Sequence, residues 1–449
     1  MEQTRIEDAG SLRALIEAGD APGIEEYLKP LHSADIADLL QQLDVEEQIV
    51  CLKRLDTQRA AEVLAELDAK SGQALLTLLS DHEVGKILEE LPSDDAADLM
   101  SSLTPEKTER VEALLPSEDR EDIQELLEFG ANTAGGLMQV ERVSVRDDST
   151  MQEAVDVVRR AAEDVESLQR VYVVNETGRL VGDLSILDLV VKPPQARVRD
   201  VMQRSTVAVP VDMEQKHVAA MFSKYDEFTL PVVDGQGRLV GRITMDDIID
   251  VIEEEASKDF ARLAGTTDQE LGETSIYKVS RSRLPWLVTG FVGEGLGAIL
   301  MSRYEASLAT FVVLAFFIPM IIGTAGNIGI QAAVVVVREL ALGQINIYRM
   351  GRRVLKELQV AFLNGLVLGG ILFALVYFWR HDAALGALLW GTLLLVIFVA
   401  AFMGSSIPLL LHRWRVDPAI ATGPFVTVSN DVIGMAIYLT LATAYLRTH

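Results

Sequence analysis

The chain has 449 residues, a formal net charge of −26 and a single cysteine, so it has room for several domains but no disulfide framework or thiolate metal cluster. The acidic excess argues against a nucleic-acid binder, because affinity for phosphates comes from excess cations. The six histidines contain no His-Glu-x-x-His pairing, which argues against a zinc hydrolase. The character of the chain changes near residue 284: the part up to Arg283 has 30 Lys+Arg against 59 Asp+Glu, and the rest has 10 against 7. The start of the chain has no basic, apolar signal peptide, so we expect the acidic part to be cytoplasmic.

Residues 1–130 predict an all-α domain. Leucines and isoleucines recur three and four residues apart, and prolines interrupt the pattern at short intervals, which is typical of many short helices. The segment 31–40 (LHSADIADLL) returns in similar form at 91–100 (LPSDDAADLM). Repeated helical units of this kind predict a superhelical stack.

The central region contains an internal duplication, with copies at 137–200 and 201–253. The stretch 173–188 (VVNETGRLVGDLSILD) aligns with 232–247 (VVDGQGRLVGRITMDD), and each copy predicts a strand, a glycine turn, a strand and a capped helix. This duplication resembles a tandem pair of CBS (cystathionine β-synthase type) domains, an α/β regulatory module whose members often bind adenine nucleotides. Ser185 with Asp188 and Thr244 with Asp247 stand where a hydroxyl and a carboxylate can hold a nucleotide at a helix N-terminus. The same spacing also fits an ordinary helix N-cap.

Residues 254–283 predict an acidic connecting helix between this module and a membrane domain at 284–449. That domain has five apolar stretches, near 284–301, 307–337, 358–379, 384–411 and 419–446, each long enough to cross a bilayer. Ten basic residues fall on one side of these spans and three on the other. The positive-inside rule therefore predicts a multi-pass membrane protein with cytoplasmic N-terminal domains and a C-terminus on the outer side.

Asp431 falls near the middle of the fifth apolar stretch. A carboxylate at that depth costs about 2.5–3.5 kcal/mol on insertion scales, so it indicates a residue on an ion path. Thr427 and other polar residues flank it. The second stretch carries Pro319 and several glycines, which predicts that it is not one plain helix, and Asn327 and Gln331 share a face that can line a cavity.

The order of these parts, with the motifs P-x-x-x-G-x-x-G-N-x-G-x-Q and D-P-A…G-P-F-V-T…D, resembles the MgtE family of bacterial magnesium channels and transporters over nearly the whole chain. The resemblance implies a homodimer in the lipid bilayer, with a pore built by the second and fifth spans of both subunits and Asp431 as the main selectivity ligand. It implies that cytoplasmic Mg²⁺ closes the pathway and that ATP on the CBS pair tunes this response. The candidate regulatory ligands that it implies are Glu62, Asp94, Asp98, Glu214, Asp226, Asp247, Asp250, Glu255, Asp259 and Asp417.

Simple electrostatics supports these expectations. Mg²⁺ keeps its waters and prefers oxygen ligands, and a twofold axis would give Asp431 a facing partner that matches the charge of a hydrated dication. Residues 1–136 carry a net charge of −21 and residues 137–283 carry −8, so the two acidic bodies repel each other until Mg²⁺ bridges them.

Three other functions remain open on the sequence alone. The chain could transport other divalent cations such as Mn²⁺ or Co²⁺, it could be a CBS-regulated carrier for another solute, or it could be a membrane-bound Mg²⁺ sensor that conducts nothing. A carrier for an anion is disfavoured, because the membrane half contains a buried acid without a buried cation. We do not expect an enzyme, because the sequence shows no pairing of a nucleophile with a base and no metal-binding histidine cluster.

Overall fold

A computed structural model describes residues 9–161, 168–204, 206–264, 266, 275–341, 350–414, 418 and 424–448. The chain divides into two compact units, Met1–Ile252 and Glu253–His449. The first contains a helical N-terminal domain and an α/β module, and the second contains the membrane helices. The expected multidomain class, with an all-α N-terminal domain, an α/β CBS-like pair and an α-helical membrane domain, is confirmed.

Between residues 9 and 130, the N-terminal domain has ten short helices. They are α1 (Ala9–Glu17), α2 (Ala21–Leu28), α3 (Ser33–Leu40), α4 (Val45–Leu52), α5 (Thr57–Ala65), α6 (Ala69–Leu78), α7 (Asp81–Glu89), α8 (Ser93–Ser101), α9 (Pro105–Glu112) and α10 (Ser117–Leu127). Several begin at side-chain caps: Ser80, for example, forms a capping box with Glu83. Alternate helices pack on each other, α3 on α5, α5 on α7 and α7 on α9, so the domain is a stack as predicted.

The α/β module contains two copies of one arrangement. Its elements are β1 (Ser144–Arg146), α11 (Met151–Ala161), β2 (Arg170–Val174), β3 (Leu180–Ser185), α12 (Ile186–Val191), α13 (Val198–Val201), β4 (Val209–Pro210), α14 (Gln215–Tyr225), β5 (Thr229–Val233), β6 (Leu239–Thr244) and α15 (Met245–Ala264). Each copy has a three-stranded sheet in which a short parallel strand precedes an antiparallel pair. The paired strands even share a register shift at the same place, between Val173 and Val174 and between Val232 and Val233.

The two copies are interleaved. Gln139, near the start of the first copy, pairs with Arg242 in the second, and Gln203, near the start of the second copy, pairs with Asp183 in the first. Met138, next to Gln139, packs against Gly241, and Met202, next to Gln203, packs against Gly182. A Cβ on Gly241 would come within 2.8 Å of the Met138 sulfur, so this close approach requires glycine.

The second unit contains five helices long and apolar enough to cross a membrane. The helices of this unit are α16 (Ile276–Ser302), the short α17 (Glu305–Thr310), α18 (Val313–Ala341), α19 (Met350–Arg380), α20 (Ala383–Arg413) and α21 (Pro424–Thr448). Helix α15 runs without a break through residue 254, where the sequence placed the start of a separate connecting helix.

The second span is interrupted, as expected, but the expectation that Pro319 and the glycines interrupt it is wrong. The break lies at residues 311–312, between α17 and α18, and α18 continues through Pro319 and the glycines. Pro319 lies in the second turn of α18, where few intrahelical bonds precede it. The Thr324 hydroxyl donates to the Met320 carbonyl at 2.7 Å just beyond it.

Tight packing holds α18 between two other helices. A Cβ on Gly404 of α20 would overlap the Gly329 carbonyl, and a Cβ on Gly329 would overlap the side-chain amide of Asn430 on α21. Asn430 is only 3% exposed. Small residues thus let three helix backbones approach closely, as in other membrane bundles.

Candidate metal sites

An acidic interface joins the N-terminal domain to the second CBS copy. It is formed by Asp94 and Asp95 at the start of α8 and by Asp247 in the first turn of α15. The start of α8 is fixed on the segment that leads into the first copy: the Ser93 hydroxyl donates to Glu141 Oε2 at 2.7 Å, and the Val140 N–H donates to the Ser93 hydroxyl at 3.0 Å. The same docking that anchors Ser93 therefore brings the three carboxyl groups together.

The charges of the acidic interface act on one another. Burial, followed by the charges of Asp247 and Asp95, raises the pKa of Asp94 well above its ordinary value, and Asp94 is 6% exposed. Burial and then Asp247 raise the pKa of Asp95 to about 7. Burial, and then Asp246, raises the pKa of Asp247 to about 6. Ionised, these groups oppose the docked arrangement, and a cation between them would relieve the opposition.

The chemistry of the acidic interface fits Mg²⁺. Its donors are carboxylate oxygens, with the Gln139 side chain as a further hydrogen-bond partner of Asp94, and hard oxygen ligands suit Mg²⁺ better than softer metals. Across the described ranges, no three acidic, histidine or cysteine side chains are already arranged as a coordination sphere. Mg²⁺ binds through one or two carboxylates and keeps several waters, so a pair of facing carboxylates is the relevant feature.

Three of the predicted regulatory residues of the first unit have other surroundings. Glu62 accepts hydrogen bonds from the Ser33 hydroxyl at 2.6 Å and from Gln58 within the N-terminal domain. Glu214 is exposed beside His217, at 3.7 Å. Asp226 ends α14 with a left-handed backbone (φ 53°).

The remaining regulatory candidates are distributed along two helices, with one outside the described residues. Asp98 lies one turn after Asp94 on α8, and Asp250 is exposed on α15. Glu255 pairs with Lys258 at 3.0 Å further along α15, and Asp259 is partly buried on the same helix. Asp417 lies outside the residues that the structure describes.

The membrane carboxylate Asp431 lies at the contact of three helices. A Cβ on Gly326 of α18 would lie 3.6 Å from Asp431 Oδ1. The carboxylate therefore lies close to the α18 backbone at this glycine, with no side chain between them. The Glu294 carboxyl of α16 is close enough for its charge to act on Asp431. Two acidic side chains facing each other at membrane depth favour a cation between them.

The other predicted pore residues lie beside this contact. Asn327 and Gln331 are exposed on one face of α18, together with Phe316, Met320 and Gly323. They share a face, as predicted, but that face is not covered by the described residues of this chain. Thr427 is partly buried one helical turn before Asp431.

The predicted nucleotide positions are helix caps in this structure. The Ser185 hydroxyl donates to Asp188 Oδ2 at 2.7 Å, and the Asp188 N–H donates back to the Ser185 hydroxyl. The Thr244 hydroxyl likewise donates to Asp247. Both pairs therefore make the hydrogen bonds of a helix N-terminus, as the capping interpretation expects, and the nucleotide role of these residues stays a prediction.

Sequence reasoning missed several residues at these sites. Ser93, Asp95 and Glu141 complete the acidic interface, and the only available signal was that Asp95 follows Asp94 in the repeated helical segment. Glu294 lies in the first apolar stretch, and nothing in the sequence pairs α16 with α21. Asn430 precedes Asp431 directly, and nothing in the sequence indicates that it packs against Gly329.

Comparison with protein families matches three profiles along the chain. The MgtE intracellular N domain matches residues 31–132, CBS domains match 134–193 and 198–254, and the MgtE divalent cation transporter domain matches 318–441.

Curated relatives and one solved structure show the same similarity. The magnesium transporters MgtE of Thermus thermophilus and Enterococcus faecalis are each 37% identical to this chain, over 72% of it and 72% of their own length. A crystal structure of the cytosolic domain of the Mg²⁺ channel MgtE in complex with ATP is 38% identical, with a TM-score of 0.52, and matches 54% of this chain and all of that one.

Proposed function

Because the chain belongs to the MgtE family of magnesium transporters, we propose that it carries Mg²⁺ across the bacterial inner membrane past Asp431 and that cytoplasmic Mg²⁺ closes the path. The observation that carries the first half is the apposition of Asp431 with Glu294 and with the bare backbone at Gly326. A cation at this position would contact the carboxylates of Asp431 and Glu294 and the backbone carbonyls near Gly326, which has no side chain to block it. Such a surface recognises hydrated Mg²⁺ without stripping its waters.

A second copy of the chain completes the path in this proposal. The face of α18 that carries Asn327 and Gln331 is uncovered, although polar side chains at membrane depth are costly against lipid. A twofold axis along this face brings two copies of Asn327, Gln331, Thr427 and Asp431 around one passage. The paired carboxylates then match a divalent charge better than a monovalent one.

Closure by internal Mg²⁺ follows from the acidic interface. Docking of α8 on α15 brings Asp94, Asp95 and Asp247 together against their repulsion. Mg²⁺ held there favours the docked state and, by linkage, binds that state more tightly. Glu62, Asp98, Glu214, Asp226, Asp250, Glu255, Asp259 and Asp417 are further proposed ligands, recruited as the cytoplasmic parts compact.

ATP is named for the matched cytosolic structure and enters here only as a candidate regulator. Ser185 with Asp188 and Thr244 with Asp247 make hydrogen bonds within their own helix turns, and these bonds by themselves do not indicate a nucleotide. The gating proposal therefore uses no nucleotide.

The test is Mg²⁺ uptake into liposomes by the purified full-length protein. Asp431→Ala should abolish uptake, whereas the matched control Glu305→Gln, on the short helix α17, should leave it intact. Uptake that persists in Asp431→Ala would refute the proposed path. Truncation of residues 1–130 should preserve uptake while weakening inhibition by internal Mg²⁺.

The same assay separates the alternatives. Replacing Mg²⁺ by Mn²⁺ or Co²⁺ measures the preference among divalent cations. A protein that binds Mg²⁺ through its acidic interface but shows no uptake of any divalent cation would be a membrane sensor.

A further inference from the structure

The cleft between the two CBS copies beside Ser185 is nearly full. The register of β2 and β3 places Arg170 opposite Ser185, so this cleft lies next to the predicted nucleotide position. The residues that line it come from both copies: Arg170, Asp183, Gln203, Thr206, Val207, Glu227, Thr229, Leu230 and Pro231. The space that remains is about 20 Å³, whereas ligand pockets usually enclose roughly 300–1,000 Å³.

An ion bridge fills the cleft. The Arg170 guanidinium donates through Nη1 to Asp183 and through Nη2 to Glu227 Oε2 at 2.7 Å. Asp183 is 1% exposed, and the Thr206 hydroxyl also donates to it. Because Asp183 belongs to the first copy and Glu227 precedes β5 of the second, the bridge ties the two copies together.

This bridge opposes nucleotide binding in two ways. A nucleotide must displace Arg170 from a buried carboxylate, and breaking such a pair costs roughly a hundredfold or more in affinity. The phosphates would then face Asp183 and Glu227, which repel them.

The corresponding position in the second copy is no more receptive. Thr229 stands where the first copy has Arg170, since it lies opposite Thr244 as Arg170 lies opposite Ser185. Its hydroxyl is hydrogen-bonded to the buried Tyr172 hydroxyl at 3.0 Å. Asp247, next to this position, faces the carboxylates of α8.

We propose that the Arg170–Asp183–Glu227 bridge locks the cleft beside Ser185 and excludes ATP from it, so that the CBS pair of this chain responds to Mg²⁺ alone. The matched cytosolic structure is a complex with ATP, so this property separates the present chain from that relative. The proposal does not depend on the path through the membrane.

The test is a titration of the full-length protein in detergent with a fluorescent ATP analogue, with unlabelled ATP as competitor. The wild type should show no competable binding up to about 1 mM. Glu227→Gln removes one repelling charge and one arm of the bridge at nearly constant volume, and it should bind at least about tenfold more tightly. The control Glu176→Gln breaks an exposed ion pair with Arg146 elsewhere in the same module and should behave as the wild type.

Two results would overturn the proposal. One is competable binding to the wild type that Asp188→Ala abolishes, because it would place the nucleotide in this cleft with the bridge intact. The other is identical binding by the wild type and Glu227→Gln in a variant whose thermal unfolding midpoint is unchanged.

Discussion

Neutralising Asp247 should dock the N-terminal domain without Mg²⁺. The pKa of this carboxyl is raised from an ordinary 3.8 to about 6 by burial and then by Asp246 of its own helix. Since each pKa unit corresponds to about 1.36 kcal/mol, keeping Asp247 ionised costs about 3 kcal/mol at pH 7 and above, and the part of this cost that arises on docking opposes docking. Asp247→Asn removes that part, so the docking equilibrium should shift by up to about a hundredfold.

Hydrogen exchange measured by mass spectrometry on the full-length protein reports this equilibrium at the start of α8. In the wild type we expect amide protection of residues 93–97 to rise when Mg²⁺ replaces EDTA. In Asp247→Asn we expect the protection to be high already in EDTA and to change little with Mg²⁺. The control Asp200→Asn removes an equal charge from an exposed position and should follow the wild type.

Lower protection of α8 in Asp247→Asn than in the wild type, with both in EDTA, would refute this reasoning. It would mean that Asp247 attracts the N-terminal domain in the absence of a cation. Unchanged protection would equally show that the charges of Asp94, Asp95 and Asp247 do not oppose docking.

Two further predictions concern pH and helix packing. The docked state raises the pKa of Asp95 to about 7. Docking in EDTA should therefore be strongest below about pH 4, weaken as pH rises towards 7 and then level off, and the same exchange experiment measures it. Docking that strengthens as pH rises would contradict this prediction. Gly329→Ala places a methyl group against the Asn430 amide and should destabilise the membrane domain by about 1–3 kcal/mol. Thermal unfolding in detergent measures this effect against Gly370→Ala, where a Cβ meets nothing within 4 Å among the described residues.

Local pattern was enough to predict the parts of this protein. The duplicated segments at 173–188 and 232–247 predicted matching strands and capped helices because glycine turns and capping residues act within a few positions. The apolar stretches predicted five membrane helices for the same reason. The motif containing Asp431 drew attention to one membrane carboxylate, because a charge at membrane depth is rare enough to be informative, and its role as a pore ligand stays a prediction.

Partners distant in sequence could not be predicted in this way. Glu294 meets Asp431 only because α16 and α21 pack together, and residue spacing does not indicate which helices pack on each other. Ser93 docks on Glu141 through a contact between two domains. Pro319 misled the prediction for the second span, because α18 continues through it even though a proline inside a helix removes one intrahelical hydrogen bond.

The interleaving of the two CBS copies gives the module a mechanical property. The Val140 N–H donates to the Ser93 hydroxyl, and the preceding residue, Gln139, is hydrogen-bonded to Arg242, three residues before the start of α15 at Met245. A displacement of the N-terminal domain at Ser93 is therefore transmitted through the Gln139–Arg242 bridge to the start of the twenty-residue helix α15. Neither copy can move by itself, since Gln139 of the first copy is paired with Arg242 of the second and Gln203 of the second with Asp183 of the first.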